Sequence, residues 1–210
     1  MVEAFFTDSR YVKGSWVNWA DVIFHELTGY NALMIFSNTI LRKITSEGSS
    51  FTAREGTIVL GAVDFISSCF SILAIRKFKR RPMMILGHTG MTLAMISIGV
   101  LAIYEINIGV LVGMCVFICM YEMSTATLAW MYACETCSDQ ALGVCSTTLY
   151  TTILILTLTT EPLMDALPGD CDFFFLFASF NCVAACFLFF FLRETFGLTD
   201  NEKKELYAQK

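Results

Sequence analysis

Six ionisable residues stand inside long apolar runs of this sequence: Asp21, His25, Glu26, Asp64, His88 and Glu122. A charge in the middle of a lipid bilayer is costly, so such residues face a bundle interior or a watery cavity and mark a place where something polar is held. Their neighbours follow helical spacing. Asn18, Asp21, His25 and Thr28 fall at i, i+3, i+7 and i+10, one face of a helix, with Asn31 a step further round. Asp64, Ser67, Ser68 and Ser71 repeat the pattern, and Glu122, Ala126 and Trp130 put a carboxylate and an indole on roughly one side. Thr147, Thr148, Thr151 and Thr152 form a further hydroxyl stripe. Carboxylate, amide and hydroxyl groups beside a large aromatic plane are what a neutral polyhydroxy solute needs. Each solute hydroxyl exchanges water for a directed partner, and the apolar ring face stacks on indole. A purely structural reading stays open, because Ser and Thr in membrane helices commonly bond their own backbone or a neighbouring helix.

The elements that must position these groups are membrane helices. Of the 210 residues 56% are hydrophobic and 16% charged, with a formal net charge of -5. That composition excludes an ordinary soluble domain, a disordered tail and a nucleic-acid binder. Crossing a hydrocarbon core of roughly 30 Å takes about 20 helical residues. Six stretches qualify: Ser15 to Leu41, Thr57 to Ile75, Met83 to Ile103, Ile106 to Ala133, Leu142 to Leu163 and Phe173 to Leu192. The runs are too long and too continuous for barrel strands, so the expected fold is all-α, with six transmembrane helices and the lipid bilayer as solvent. The sixth span is Phe-rich all round and reads as a lipid-facing buttress. The organisation is then a tail over residues 1–14, a six-helix domain over 15–192 and a tail over 193–210.

Met1 to Lys13 has no apolar core and is not read as a secretory signal. Arg10, Lys13, Arg76, Lys77, Lys79, Arg80, Arg81, Arg193, Lys203, Lys204 and Lys210 fall on one side of the membrane, against Arg42, Lys43 and Arg54 on the other. Both termini are therefore expected in the cytoplasm. The plasma membrane is the expected location, with an organelle membrane as the alternative. Most of the nine cysteines lie inside spans as small soft hydrophobes. Cys134 and Cys137 make a lone C-x-x-C with no second pair and no nearby His, so neither a metal, a cofactor nor a disulfide framework is expected. Adjacent His25 and Glu26 have no nucleophile, metal set or phosphate loop beside them, and an enzyme is not expected.

Several segments resemble one family, the sugar porters of the major facilitator superfamily, in its C-terminal six-helix half. Phe24 to Asn31 (F-H-E-L-T-G-Y-N) resembles the family's Q-Q-x-[ST]-G-x-N in helix 7. Ala62 to Phe65 (A-V-D-F) is similar to a segment with Asn at the place of Asp64. Lys79 to Pro82 falls where the family has G-R-R, with Arg80 and Arg81 matching. Tyr121 to Trp130 (Y-E-M-S-T-A-T-L-A-W) resembles the helix 10 signature F-E-x-G-P-x-P-x-P-W of facilitative hexose carriers. Glu135 and Gly143 match E-x(6)-R-G, and Arg193 to Thr199 (R-E-T-F-G-L-T) is similar to P-E-T-K-G-x-T.

The resemblance implies half of an alternating-access carrier for a small neutral sugar, a hexose, with a second six-helix half supplied by another copy or a separate chain. It implies substrate contacts at His25, Glu26, Asn31, Asp64, Glu122 and Trp130. It also implies a cytoplasmic gate of Arg80, Arg81, Glu135 and Glu194, a bistable ion-pair latch. The departures are specific. His25, Glu26 and Asp64 replace amides, which allows a proton to travel with the sugar. The helix 10 segment has lost the prolines and glycine that let that helix bend as its gate moves. Leu142 stands where the latch arginine is expected, which weakens the latch. Those losses support the alternative: a transport-inactive relative serving as a structural or accessory membrane subunit.

Overall fold

The computed structural model describes residues 12–44, 51–169, 171–204 and 206–207. Arg10, Lys210, the Lys204 side chain, the first eleven residues of the expected N-terminal tail and residues 45–50 of the long connection lie outside the described residues. Regular structure among the described residues is helical throughout. In chain order the helices are α1 Val12–Leu27, α2 Tyr30–Ile35, α3 Ser37–Ile44, α4 Ala53–Lys77, α5 Arg80–Ile103, α6 Asn107–Met123, α7 Thr125–Thr136, α8 Asp139–Ala166, α9 Asp172–Phe191 and α10 Asp200–Lys204. Five crossings are long and apolar enough to span a bilayer: α4, α5, α6 with α7, α8 and α9. The first span is the remaining crossing, divided into α1, α2 and α3.

Local sequence explains the starts. Thr52 and Glu55 form a capping box on α4: the Thr52 hydroxyl accepts the Glu55 N–H at 3.3 Å and the Glu55 carboxylate accepts the Thr52 N–H at 2.8 Å. Ser138 caps α8 by accepting the Ala141 N–H at 3.3 Å. Hydropathy placed the six spans but not their interruptions. Gly29 adopts φ 86°, a left-handed conformation that only glycine takes freely, and ends α1 in mid-span. Ser124, at φ −121° and ψ −81°, separates α6 from α7. The fourth span therefore bends although its prolines are gone. The Ser124 hydroxyl donates to the Met120 carbonyl, a back-bond that bends helices. The facing residue of α5 is Gly87, where a Cβ would lie 1.9 Å from Ser124 Oγ.

α5 sits between α6 and α9, α4 packs on α6, and α1 lies against α7, α8 and α9. One apolar core joins Met91, Met95 and Ile98 of α5 to Phe117 of α6 and to Phe174 and Phe177 of α9. A second, toward the other end, joins Val17, Met84, Leu128, Tyr132, Leu188 and Tyr207. The expectation that α9 is a lipid-facing buttress holds only for part of it. Phe173, Phe174, Phe177 and Leu188 are buried, while Phe190 is 75% exposed. The outer face, with Phe65 71% and Leu86 68% exposed, is suited to lipid chains as apolar as itself. α4 and α8 are the crossings least buried within the chain. On α8, Thr147, Thr151 and Thr152 each donate to the carbonyl four residues earlier and Thr148 accepts the Trp19 indole N–H at 2.9 Å, so this stripe follows the structural reading.

Candidate functional site

The break at Gly29 brings the end of α1 and the start of α2 around one point, where the freed backbone is served by side chains. The Thr28 hydroxyl donates to the His25 carbonyl at 2.7 Å, and Asn181 of α9 donates to the Thr28 carbonyl at 2.9 Å. Around this turn Asn31 Nδ2 donates to Glu26 Oε2 at 2.6 Å. Glu26 Oε1 lies 3.7 Å from His25 Nε2, which shares a hydrogen bond of 3.0 Å with the Tyr121 hydroxyl of α6. The rings of Tyr30 and Tyr121 stack at 3.9 Å and 10°. The Tyr30 hydroxyl donates to Asp64 Oδ1 of α4 at 2.7 Å. One turn along α4, Ser68 donates to Glu122 of α6.

Five of the six residues expected at a substrate site, His25, Glu26, Asn31, Asp64 and Glu122, thus form one connected polar patch. Trp130 does not join it through any contact described. It lies beyond the Ser124 break and packs with Trp19 and Ile153 on Val22, Cys145 and Leu149 of α1 and α8. The even helical spacing between Glu122 and Trp130 does not survive that break. Tyr30 and Tyr121, missed from the sequence, are the residues that tie α1, α4 and α6 together. Their only signals were their places beside Asn31 and Glu122, because an aromatic ring in a span reads as core.

The rest of the α1 stripe is buried, as His25 and Glu26 are, but is partnered differently. Asn18 donates to Thr136 Oγ1 of α7 at 2.7 Å, and Asp21 is 1% exposed with neither carboxylate oxygen hydrogen-bonded among the described residues. His88 of α5 is fully buried, and its Nε2 lies 3.3 Å from Thr125 Oγ1 beside the α6–α7 break. Of the C-x-x-C pair, Cys134 is exposed and Cys137 buried, and both are free thiols. Among the described residues no three His, Cys, Asp or Glu side chains are grouped to hold a metal.

A second centre lies at the end of the bundle where α5 begins. Arg80 Nη2 contacts Glu135 Oε1 of α7 at 2.7 Å, and Lys203 Nζ reaches the same oxygen at 3.0 Å. Glu194 accepts the N–H groups of Arg80 and Arg81 at 3.1 and 3.2 Å, capping α5 with a negative charge at its positive end. The Arg81 guanidinium donates to the Phe189 carbonyl at 2.7 Å and lies over that ring. All four expected gate residues meet here, two of them through backbone amides that no motif spacing reveals. Lys203 was not expected among them.

This architecture, with interrupted helices around a polar patch inside an apolar bundle, defines a multi-pass integral membrane protein. The D-xylose transporter XylE of E. coli in an inward-open conformation superposes with a TM-score of 0.79 at 22% identity, over 96% of this chain and 42% of that one. A double-tryptophan variant of XylE gives 0.83 at 21% identity, over 94% and 44%. At that identity the likeness shows the fold, part of the major facilitator fold. Residues 5–207 match the family described as Sugar (and other) transporter, and the chain belongs to it. The hexose transporter HXT13 of Saccharomyces cerevisiae is 28% identical over 206 residues, covering 89% of this chain and 35% of that protein. A galactose transporter of the same yeast is 24% identical, covering 89% and 34%. The chain spans well under half the length of these relatives.

Proposed function

We propose that the chain is the C-terminal half of an alternating-access carrier for a hexose-like sugar, and that a second six-helix half completes it. The observation that carries this reading is the connected patch of His25, Glu26, Asn31, Asp64 and Glu122 beside two helix interruptions. Interrupted helices at the middle of a bundle are where carriers hold their substrates, because the unwound backbone and convergent side chains serve hydroxyls there. Trp130, half-buried against α1 and α8, is assigned a separate contribution as an indole wall. Arg80, Arg81, Glu135 and Glu194 act as the cytoplasmic gate in this reading, with both termini in the cytoplasm and the six-helix domain at residues 15–192. The plasma membrane is the assigned location. Carboxylates in place of amides at Glu26 and Asp64 let a proton accompany the sugar.

The test is hexose binding by the chain purified with the partners it retains. Asp64→Asn and Glu122→Gln are each expected to weaken binding about tenfold or more, the loss of one charge-assisted hydrogen bond, with helix content unchanged. Binding unchanged in both variants overturns the substrate site. Uptake into proteoliposomes that is indifferent to an imposed pH gradient overturns proton coupling alone.

A further inference from the structure

Behind the polar patch, between the two helix interruptions, stand four fully buried polar side chains: Thr28 of α1, His88 of α5, Thr125 of α7 and Asn181 of α9. Thr28 immediately precedes Gly29, where α1 has ended, and Thr125 immediately follows Ser124, where α6 gives way to α7. His88 lies between them. Its Nε2 is 3.3 Å from Thr125 Oγ1, and its ring also faces the Asn181 side chain. Asn181 Nδ2 donates to the Thr28 carbonyl at 2.9 Å and to the Phe177 carbonyl at 2.8 Å. The Thr28 hydroxyl donates to the His25 carbonyl at 2.7 Å, and the His25 imidazole faces the Thr125 backbone. The contacts therefore run in a circuit through His25, Thr28, Asn181, His88 and Thr125, drawn from four helices. Two facing atoms of this circuit, His88 Nδ1 and Asn181 Oδ1, have no hydrogen bond among the described residues. A proton on Nδ1 rather than Nε2 lets His88 donate to Asn181 Oδ1 and accept the Thr125 hydroxyl, which serves both ring nitrogens and the amide oxygen together. Polar atoms left unpaired at such burial are costly, so the surroundings select this tautomer.

We propose that His88 is a positioning residue that couples the two helix interruptions, holding the Gly29 break through Asn181 and the Ser124 break through Thr125. Loss of the Thr125 hydroxyl frees the imidazole to turn. A turned imidazole no longer presents its donor to Asn181, and the Thr28 carbonyl then loses the amide aimed at it. The two interruptions share one free energy, so loosening either loosens the other by the same factor. The bearing on sugar rests on the reading of the patch as a substrate site, since His25 and Glu26 precede the first break and Glu122 the second. The coupling itself requires no substrate.

Hydrogen exchange on the full chain in lipid nanodiscs, without sugar, tests this over residues 28–34 at the first break and 123–129 at the second. Thr125→Val is expected to speed exchange about tenfold at the first break, which it does not occupy, and Asn181→Leu to do the same at the second. His88→Leu speeds both, and adding Thr125→Val to it costs nothing more. His88→Gln keeps one donor and one acceptor and retains the protection at both breaks. Residues 60–72 of α4, which supply no member of the circuit, exchange as in the wild type in every variant. Should His88→Leu fail to fold, Thr125→Val and Asn181→Leu, each close in volume to the residue replaced, carry the test. Variants that loosen only their own break overturn the coupling. So does equal quickening of α4, the mark of general loosening, or a His88→Gln variant as fast as His88→Leu. A chain that binds no hexose sinks the carrier reading and leaves this coupling standing.

Discussion

At the scale of single residues, Tyr30 does two things that a sequence shows poorly. Its ring completes a stack with Tyr121, and its hydroxyl is the donor that Asp64 receives. Tyr30→Phe keeps the first and removes the second, leaving a half-buried carboxylate without that partner. The expected cost is about 1–3 kcal/mol, read as a lower thermal unfolding midpoint in detergent, and it disappears when Asp64→Asn is also present. A full cost that persists in the double variant contradicts the assignment. The candidate site itself was largely legible. His25, Glu26, Asn31, Asp64 and Glu122 could be picked out because polar groups inside greasy spans have few reasons to be there. Trp130 was grouped with them by counting along an unbroken helix, and the break at Ser124 gave it neighbours on α1 and α8 instead. Asp21 was equally visible and is as buried as Glu26, yet neither of its carboxylate oxygens joins the patch or is hydrogen-bonded among the described residues. Spacing tells which residues share a face and not what that face meets.

At the scale of elements, hydropathy located the six spans because lipid imposes a length and a composition on anything that crosses it. Interruptions escaped, since one residue with unusual torsions barely changes an average over twenty. Gly29 is the clearest case: it combines φ 86° with a site where a Cβ would stand 2.6 Å from the Phe177 ring. Gly29→Ala is expected to destabilise the chain by roughly 1–2 kcal/mol from the left-handed conformation alone, with a further penalty from the clash. Thermal unfolding checks the total, and loss of the Asn31–Glu26 contact is its local sign. A variant as stable as the wild type would show that the interruption does not depend on glycine. The bend in the fourth span carries a related lesson. Proline is one route to an interrupted helix, and a serine back-bonded to its carbonyl opposite a glycine is another.

At the scale of the whole molecule, the chain is well buried around α5, α6 and α9 and thinly covered at α4 and α8. The side of α4 that carries Asp64 and Ser68 holds part of the polar patch, and the proposed second half would close over it. Engineered cysteines at Asn31 or Asp64, in a background with the native exposed cysteines replaced, are expected to react with a water-soluble maleimide. Protection from both sides of the membrane in every condition contradicts a shared aqueous pocket.

The number of crossings, the family and the presence of polar groups within apolar spans were determined by the sequence alone, because lipid and solvent act on each segment without reference to the others. Only the tertiary structure decided which of those groups converge and which are satisfied by neighbouring helices. Glu135 meets Arg80 and Lys203 across 55 and 68 residues of chain, and Glu194 caps a helix 114 residues away. Contacts at such separation follow from how the helices stack, and no local pattern records them.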